Sequence, residues 1–182
     1  HWMVHSFPTR RSSDLKSRKL NISEDEYLSI IRKKTATLIA ACTACGARSV
    51  TESEIAIDKM KEFGLKLGIA FQIKDDLFDY EVYTSIGKPK GNDIQEKKLT
   101  LPLIHALLNA KEYDRRKILY LINKKPSQIN TYNKIFEFVH EHNGVNYANE
   151  TMMKYYADAK AILLTYPTNE IRLSLEKLID YI

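Results

Sequence analysis

The amino-acid sequence predicts an all-α protein, a helical bundle built on one domain. Three observations carry that prediction. Glycine and proline are scarce, 6 and 5 in 182 residues, so few positions break a helix. Apolar residues recur at helical spacing through most of the chain. No pair of alternating apolar runs is joined by a hairpin turn, and there is no internal repeat.

The elements follow in order. Ser23-Glu-Asp-Glu26 fits a capping box and opens a helix expected to reach about Ala44, with Gly46 near its end. Thr51-Glu-Ser-Glu54 opens a second, expected to run to about Tyr83. Leu99 to Ala110 forms the next, with Pro102 in its first turn, where the missing N–H costs nothing. Further helices are expected at about 113–122, 127–142, 145–164 and 168–181. Asn123-Lys-Lys-Pro126, His142-Asn-Gly144 and Tyr166-Pro167 punctuate them.

The most informative stretch is Phe71-Gln-Ile-Lys-Asp-Asp-Leu-Phe-Asp-Tyr80. At helical spacing Gln72, Asp75, Asp76 and Asp79 share roughly a 100° arc. Phe71, Ile73, Leu77 and Phe78 are expected to face the other way and pack. Three carboxylates crowded on one arc repel one another unless a cation neutralises them. Hard oxygen ligands on a fixed backbone suit Mg²⁺, which takes one or two carboxylates together with phosphate oxygens. A D-D-x-x-D string alone is often only a solvated helix face. Here it is followed by Gly87-Lys-Pro-Lys-Gly-Asn-Asp-Ile-Gln-Glu-Lys-Lys-Leu-Thr-Leu-Pro-Leu103, a loop carrying Lys88, Lys90, Asp93, Lys97 and Lys98. Lysines beside a metal-binding carboxylate cluster suit a diphosphate, with metal on some oxygens and ammonium groups on others.

Together these segments resemble the second aspartate-rich region of the trans-isoprenyl diphosphate synthases, the polyprenyl synthetase family. Motif, loop and following helix agree in order and spacing from Gly68 to Leu103. Upstream, Lys34-Thr35 in Tyr27-Leu-Ser-Ile-Ile-Arg-Lys-Lys-Thr-Ala-Thr-Leu38 is similar to the family's Lys-Thr pair, which faces the substrate diphosphate. The resemblance implies an isoprenoid-synthase-type bundle and a set of roles. Asp75, Asp76 and Asp79 would bind Mg²⁺, with Asp93 in its outer shell. Gln72, Lys34, Lys88 and Lys98 would contact the diphosphate, and Thr35 would complete the Lys-Thr pair. The implied reaction condenses an allylic prenyl diphosphate with isopentenyl diphosphate. The site must then stabilise a leaving diphosphate and keep water from a carbocation.

The departures from the family are also clear. No second D-D-x-x-D occurs, and no Arg-Arg pair follows one. The chain therefore resembles the C-terminal portion of a synthase, truncated at the N-terminus, and is expected to be inactive by itself. His5-Ser-Phe-Pro-Thr-Arg-Arg-Ser-Ser-Asp-Leu15 does not resemble the family. It matches an in-frame translation of a widely used short-read sequencing adapter. Residues 1–15 are accordingly expected to be a non-native tail, excluded from fold reasoning. Residues 16–182 are expected to be the C-terminal part of the synthase domain.

Composition limits the function classes. The net charge of +5 fits an anionic substrate. Basic and acidic residues alternate, and no Lys/Arg strip interleaved with aromatics points to nucleic acid. No apolar run reaches the ~18 residues of a membrane span, and no secretory h-region opens the given sequence. A cytoplasmic protein is expected, homodimeric in its full-length form as the family commonly is. Cys42 and Cys45 form a single C-x-x-C, too few ligands for structural zinc. They are expected to be small residues in a close helix contact. His105 and His140 are expected to be packed or surface residues, not ligands. Lys66 and Lys74, on the apolar arc of the aspartate helix, are expected to reach solvent. Two rivals remain: a class I terpene cyclase, which usually carries an N-S-E-type second motif, and a non-catalytic helical partner subunit.

Overall fold

A computed structural model of the chain describes residues 22–80, 92–124 and 129–181. All regular structure among them is helical: α1 (Glu24–Ile31), a π-helical turn (Arg32–Ala36), α2 (Thr37–Arg48), α3 (Glu54–Phe78), α4 (Asn92–Gln95), α5 (Leu101–Asn109), α6 (Glu112–Asn123), α7 (Ile129–Glu141), α8 (Gly144–Leu164) and α9 (Glu170–Tyr181). Among the described residues no helix is long and apolar enough to cross a membrane.

The helix starts follow local chemistry. Ser23 and Glu26 close the expected capping box: the Glu26 N–H donates to Ser23 Oγ at 3.2 Å, and the Ser23 N–H donates to Glu26 Oε2 at 3.1 Å. Each side chain thus satisfies a backbone donor of the first turn. Ser53 caps α3 by accepting from the Ala56 N–H. The Leu99–Ala110 helix is observed as Leu101–Asn109, with Pro102 in its first turn. Two features were not expected. Residues 32–36 widen into a π-turn instead of continuing the α-helix, and a single helical turn, α4, forms inside the loop. Gly46 lies within α2, which continues to Arg48.

The chain divides into two compact units. In the first (residues to Ile30, and Phe78–Asn146) α5 packs on α7. Leu101, Leu103, Ile104, Ile135 and Val139 are fully buried there. Asn143 takes a left-handed conformation, φ 58°, and Gly144 starts α8. A Cβ on Gly144 would lie 2.2 Å from the Pro102 carbonyl oxygen, so only glycine fits.

In the second unit (Ile31–Leu77 and Tyr147–Ile182), Phe63 and Leu67 of α3 pack with Ala159, Leu163 and Ile179 of α8 and α9. Tyr156 and Lys160 of α8 both donate to Asp180 of α9, Lys160 at 3.0 Å. Arg172 donates to the Tyr166 carbonyl at 2.8 Å. Its Nε lies 2.8 Å from Glu176 Oε1, an ion pair in which the N–H is not aligned for a hydrogen bond.

In the same unit the π-turn and α2 approach α3 closely through small residues. A Cβ on Gly68 would meet Ala36 Cα at 2.6 Å, and one on Gly64 would meet Ala40 Cα at 2.8 Å and Thr43 Oγ1 at 2.3 Å. The close helix contact expected of the cysteine stretch is therefore real, but Ala36, Ala40 and Thr43 make it. Cys42 and Cys45 are both exposed. Lys66 reaches solvent only in part: its side chain is 27% exposed and donates to Asp158 at 3.0 Å.

Candidate functional site

The sequence-predicted residues fall into two hydrogen-bonded groups. In the second unit the π-turn presents Thr35, whose hydroxyl donates to Gln72 Oε1 at 2.6 Å. The Gln72 amide nitrogen donates to Asp76 Oδ1 at 2.9 Å and to Asp75 Oδ2 at 3.3 Å. Both carboxylates accept only, so the amide must turn its NH₂ toward them and its oxygen toward the hydroxyl. Gln72 is 7% and Asp76 8% exposed, while Asp75 is exposed. Helical spacing alone did not predict that the three polar residues differ so much in burial. π-turns inside helices recur at functional sites, and this one carries both Lys34 and Thr35.

In the first unit Asp79 Oδ2 accepts the Asp93 backbone N–H at 2.7 Å, close to the start of α4. The Asp93 carboxylate lies 3.6 Å from Lys98 Nζ, and Lys98 lies 2.5 Å from Glu96 Oε2. Burial and the neighbouring charge of Asp79 raise the Asp93 carboxyl above its usual range, against the opposing pull of Lys98. Burial alone would lower the Lys98 ammonium. The hydrogen bond to Glu96 and the charge of Asp93 outweigh it and hold Lys98 above its usual value. Glu96 is a partner that the sequence reading missed. Its signal was the acidic residue two positions before Lys98, in a loop tight enough for the Lys98 N–H to reach the Asp93 carbonyl at 2.7 Å. Lys97, with φ 56°, turns away and donates to the Asn123 carbonyl at 2.9 Å.

Lys34 is exposed, and Lys88 lies outside the described residues. Among the described residues no three His, Cys, Asp or Glu side chains gather closely enough to hold a metal by themselves. The expected packed face of the aspartate helix is corrected in part. Ile73 and Leu77 are buried, but Phe71 is 46% and Phe78 55% exposed. The buried arc of α3 is set by its neighbours and takes in Gln72 and Asp76, leaving these two aromatics outside.

An all-α bundle with acidic and amide side chains clustered near the end of one long helix defines the class of protein. The chain belongs to the polyprenyl synthetase family, whose sequence profile matches residues 10–139. It is 32% identical over 165 residues to the short chain isoprenyl diphosphate synthase of Methanothermobacter thermautotrophicus, covering 90% of this chain and 50% of that one. The crystal structure of a decaprenyl diphosphate synthase from Rhodobacter capsulatus superposes with a TM-score of 0.85 at 32% identity, over 94% of this chain and 53% of that one. A polyprenyl synthase from Caulobacter crescentus, solved as a complex with calcium and isoprenyl diphosphate, gives 0.84 at 32% identity, over 94% and 53%. The chain thus spans about half the length of these relatives.

Proposed function

We propose that this chain is the C-terminal part of a prenyltransferase that joins an allylic diphosphate to isopentenyl diphosphate, with Mg²⁺ held by Asp75, Asp76 and Asp79. The observation that carries this is the Thr35–Gln72 pair placing its amide against Asp75 and Asp76. One amide nitrogen shared by the two carboxylates ties them to a common donor. The residues fit Mg²⁺ without a three-carboxylate cage, because that ion takes one or two carboxylates and fills its shell with phosphate oxygens and water. The related synthase solved with calcium and isoprenyl diphosphate supports the same pairing of divalent metal and diphosphate.

When bound, Mg²⁺ would neutralise charge on the departing diphosphate. The chain's own residues do the rest. Lys34, Lys88 and Lys98 bind diphosphate oxygens, and Gln72 fixes the carboxylates. Asp93 belongs to the outer shell of the metal, with its backbone N–H on Asp79. The allylic C–O bond breaks with its electron pair leaving on the diphosphate. The carbocation then forms a C–C bond with the isopentenyl double bond, and a proton is lost. Lys98 must exchange Glu96 for substrate oxygen, so substrate anion competes with a carboxylate already on the chain. The full-length form is proposed to be a cytoplasmic homodimer.

Calorimetry of inorganic pyrophosphate with the chain, with and without Mg²⁺, tests the binding half of this. Mg²⁺-dependent binding that is lost in Asp76→Asn is expected. Equal binding with and without the metal, or no effect of Asp76→Asn, would refute the site.

A further inference from the structure

The single turn α4 ends in a hydrogen-bonded cap. The Lys98 N–H donates back to the Asp93 carbonyl at 2.7 Å, and the Lys97 N–H to the Ile94 carbonyl at 3.0 Å. These two bonds, with Lys97 left-handed at φ 56°, make a Schellman motif. Glycine is the usual residue at that left-handed position, because a Cβ makes the conformation costly. Lysine offers there what glycine cannot, a side chain with a cation at its end. Lys97 Nζ donates to the Asn123 carbonyl at 2.9 Å and to Asn123 Oδ1 at 3.4 Å. Asn123 is the last residue of α6. The final carbonyls of a helix have no partner within it and carry its negative dipole end, so an ammonium suits the place.

The tether matters because α4 has only 4 residues, too few for a helix to hold by itself. It is pinned at both ends instead. At its start Asp79 Oδ2 accepts the Asp93 N–H at 2.7 Å. At its end Lys97 ties the cap to α6. The same cap turns Lys98 back over α4, where its ammonium lies 3.6 Å from Asp93 and 2.5 Å from Glu96. We propose that Lys97 is a positioning residue of the diphosphate site. Without touching the anion, it holds the cap on α6 and so keeps Lys98 where the anion meets it. The proposal rests on the assignment of Lys98 under Proposed function.

Lys97→Ala tests it, since alanine carries a similar left-handed cost and loses only the tether. Lys97→Arg keeps a charged donor for the same carbonyl. Two quantities would be measured on the full chain: hydrogen exchange at the Lys98 amide by NMR, and the Kd of inorganic pyrophosphate in Mg²⁺ buffer by calorimetry. In Lys97→Ala the Lys98 amide should exchange about tenfold faster, while the amides of α5 keep their rates. Pyrophosphate should bind about tenfold more weakly, the low end for losing a hydrogen bond that involves a charged group. Lys97→Arg should restore both. On a Lys98→Ala background, Lys97→Ala should weaken binding by less than about twofold, because a residue that acts through Lys98 has nothing left to place. An equal loss on both backgrounds would make Lys97 a direct contact of the anion and overturn the proposal. Unchanged affinity in Lys97→Ala, or Lys97→Arg as weak as Lys97→Ala, would overturn it too and leave the diphosphate site standing. No binding of pyrophosphate by the unaltered chain would overturn the site and the role of Lys97 together.

Discussion

Gln72 spends both of its N–H donors and one oxygen lone pair on three site residues, receiving from Thr35 and donating to Asp75 and Asp76. Replacing it with Leu keeps the volume and leaves a buried carboxylate, Asp76, without that donor. Taking a hydrogen-bond donor away from a buried polar group costs about 1–3 kcal/mol, so urea unfolding of Gln72→Leu should show a loss of that size. Metal affinity in the presence of pyrophosphate should fall roughly 10- to 100-fold, the usual penalty for removing a residue that orients metal ligands. A second residue-scale prediction concerns Asp180. Hydrogen bonds from Tyr156 and Lys160 hold its carboxyl below its ordinary value of 3.8, outweighing a small opposing effect of burial. A depressed carboxylate contributes stability that is complete above the ordinary value and lost as pH falls through the depressed one. In a carboxyl-detected NMR titration, Tyr156→Phe should move the Asp180 midpoint upward. An unchanged midpoint would mean that the tyrosine contact is absent in solution.

Helix packing makes its own predictions. Gly64 and Gly68 sit where a Cβ would strike backbone atoms of Ala40 and Ala36, whereas Gly46, also helical, has nothing within 4 Å of that position. Gly68→Ala should therefore cost about 1–3 kcal/mol by forcing α2 and α3 apart. Gly46→Ala should stabilise by about 0.5–1 kcal/mol, because alanine loses less backbone entropy in a helix. Opposite shifts in thermal midpoint for the two variants would be seen by circular dichroism. Shifts of the same sign would show that the interhelix contact does not hold. Ala40-Ala-Cys-Thr-Ala-Cys-Gly-Ala47 advertised small side chains and hence a close contact. Every turn of that stretch offers small residues on both sides, so periodicity could not say which side would be used.

For the molecule as a whole, the deciding fact is that this chain matches about half the length of its relatives. On the proposed reading as the C-terminal part of a synthase, the 182-residue chain alone should make no prenyl diphosphate from labelled isopentenyl diphosphate and a short allylic primer. It supplies carboxylates from one D-D-x-x-D only. Removing even one preorganised group that stabilises developing charge costs on the order of 10² to 10³ in rate, and the second substrate also goes unpositioned. Joined to the N-terminal half of a relative, the chain should turn over, and Asp75→Ala should abolish that activity. Robust product from the chain alone would show that the chemistry needs fewer groups than these.

The sequence by itself determined the helical class, most helix starts, the family and the run of residues that could carry the chemistry. All of these are local: a capping box is closed by Ser23 and Glu26 within one turn, and the aspartate motif lies in one short segment. Tertiary structure decided which carboxylates are buried, that Thr35 reaches Gln72 from a π-turn, and that Lys98 lies between Asp93 and Glu96. It also decided that Phe71, Phe78 and both cysteines face outward. A helix fixes the angle between its own side chains. Which angle turns inward is set by what packs against it, and that information lies dozens of residues away in the chain.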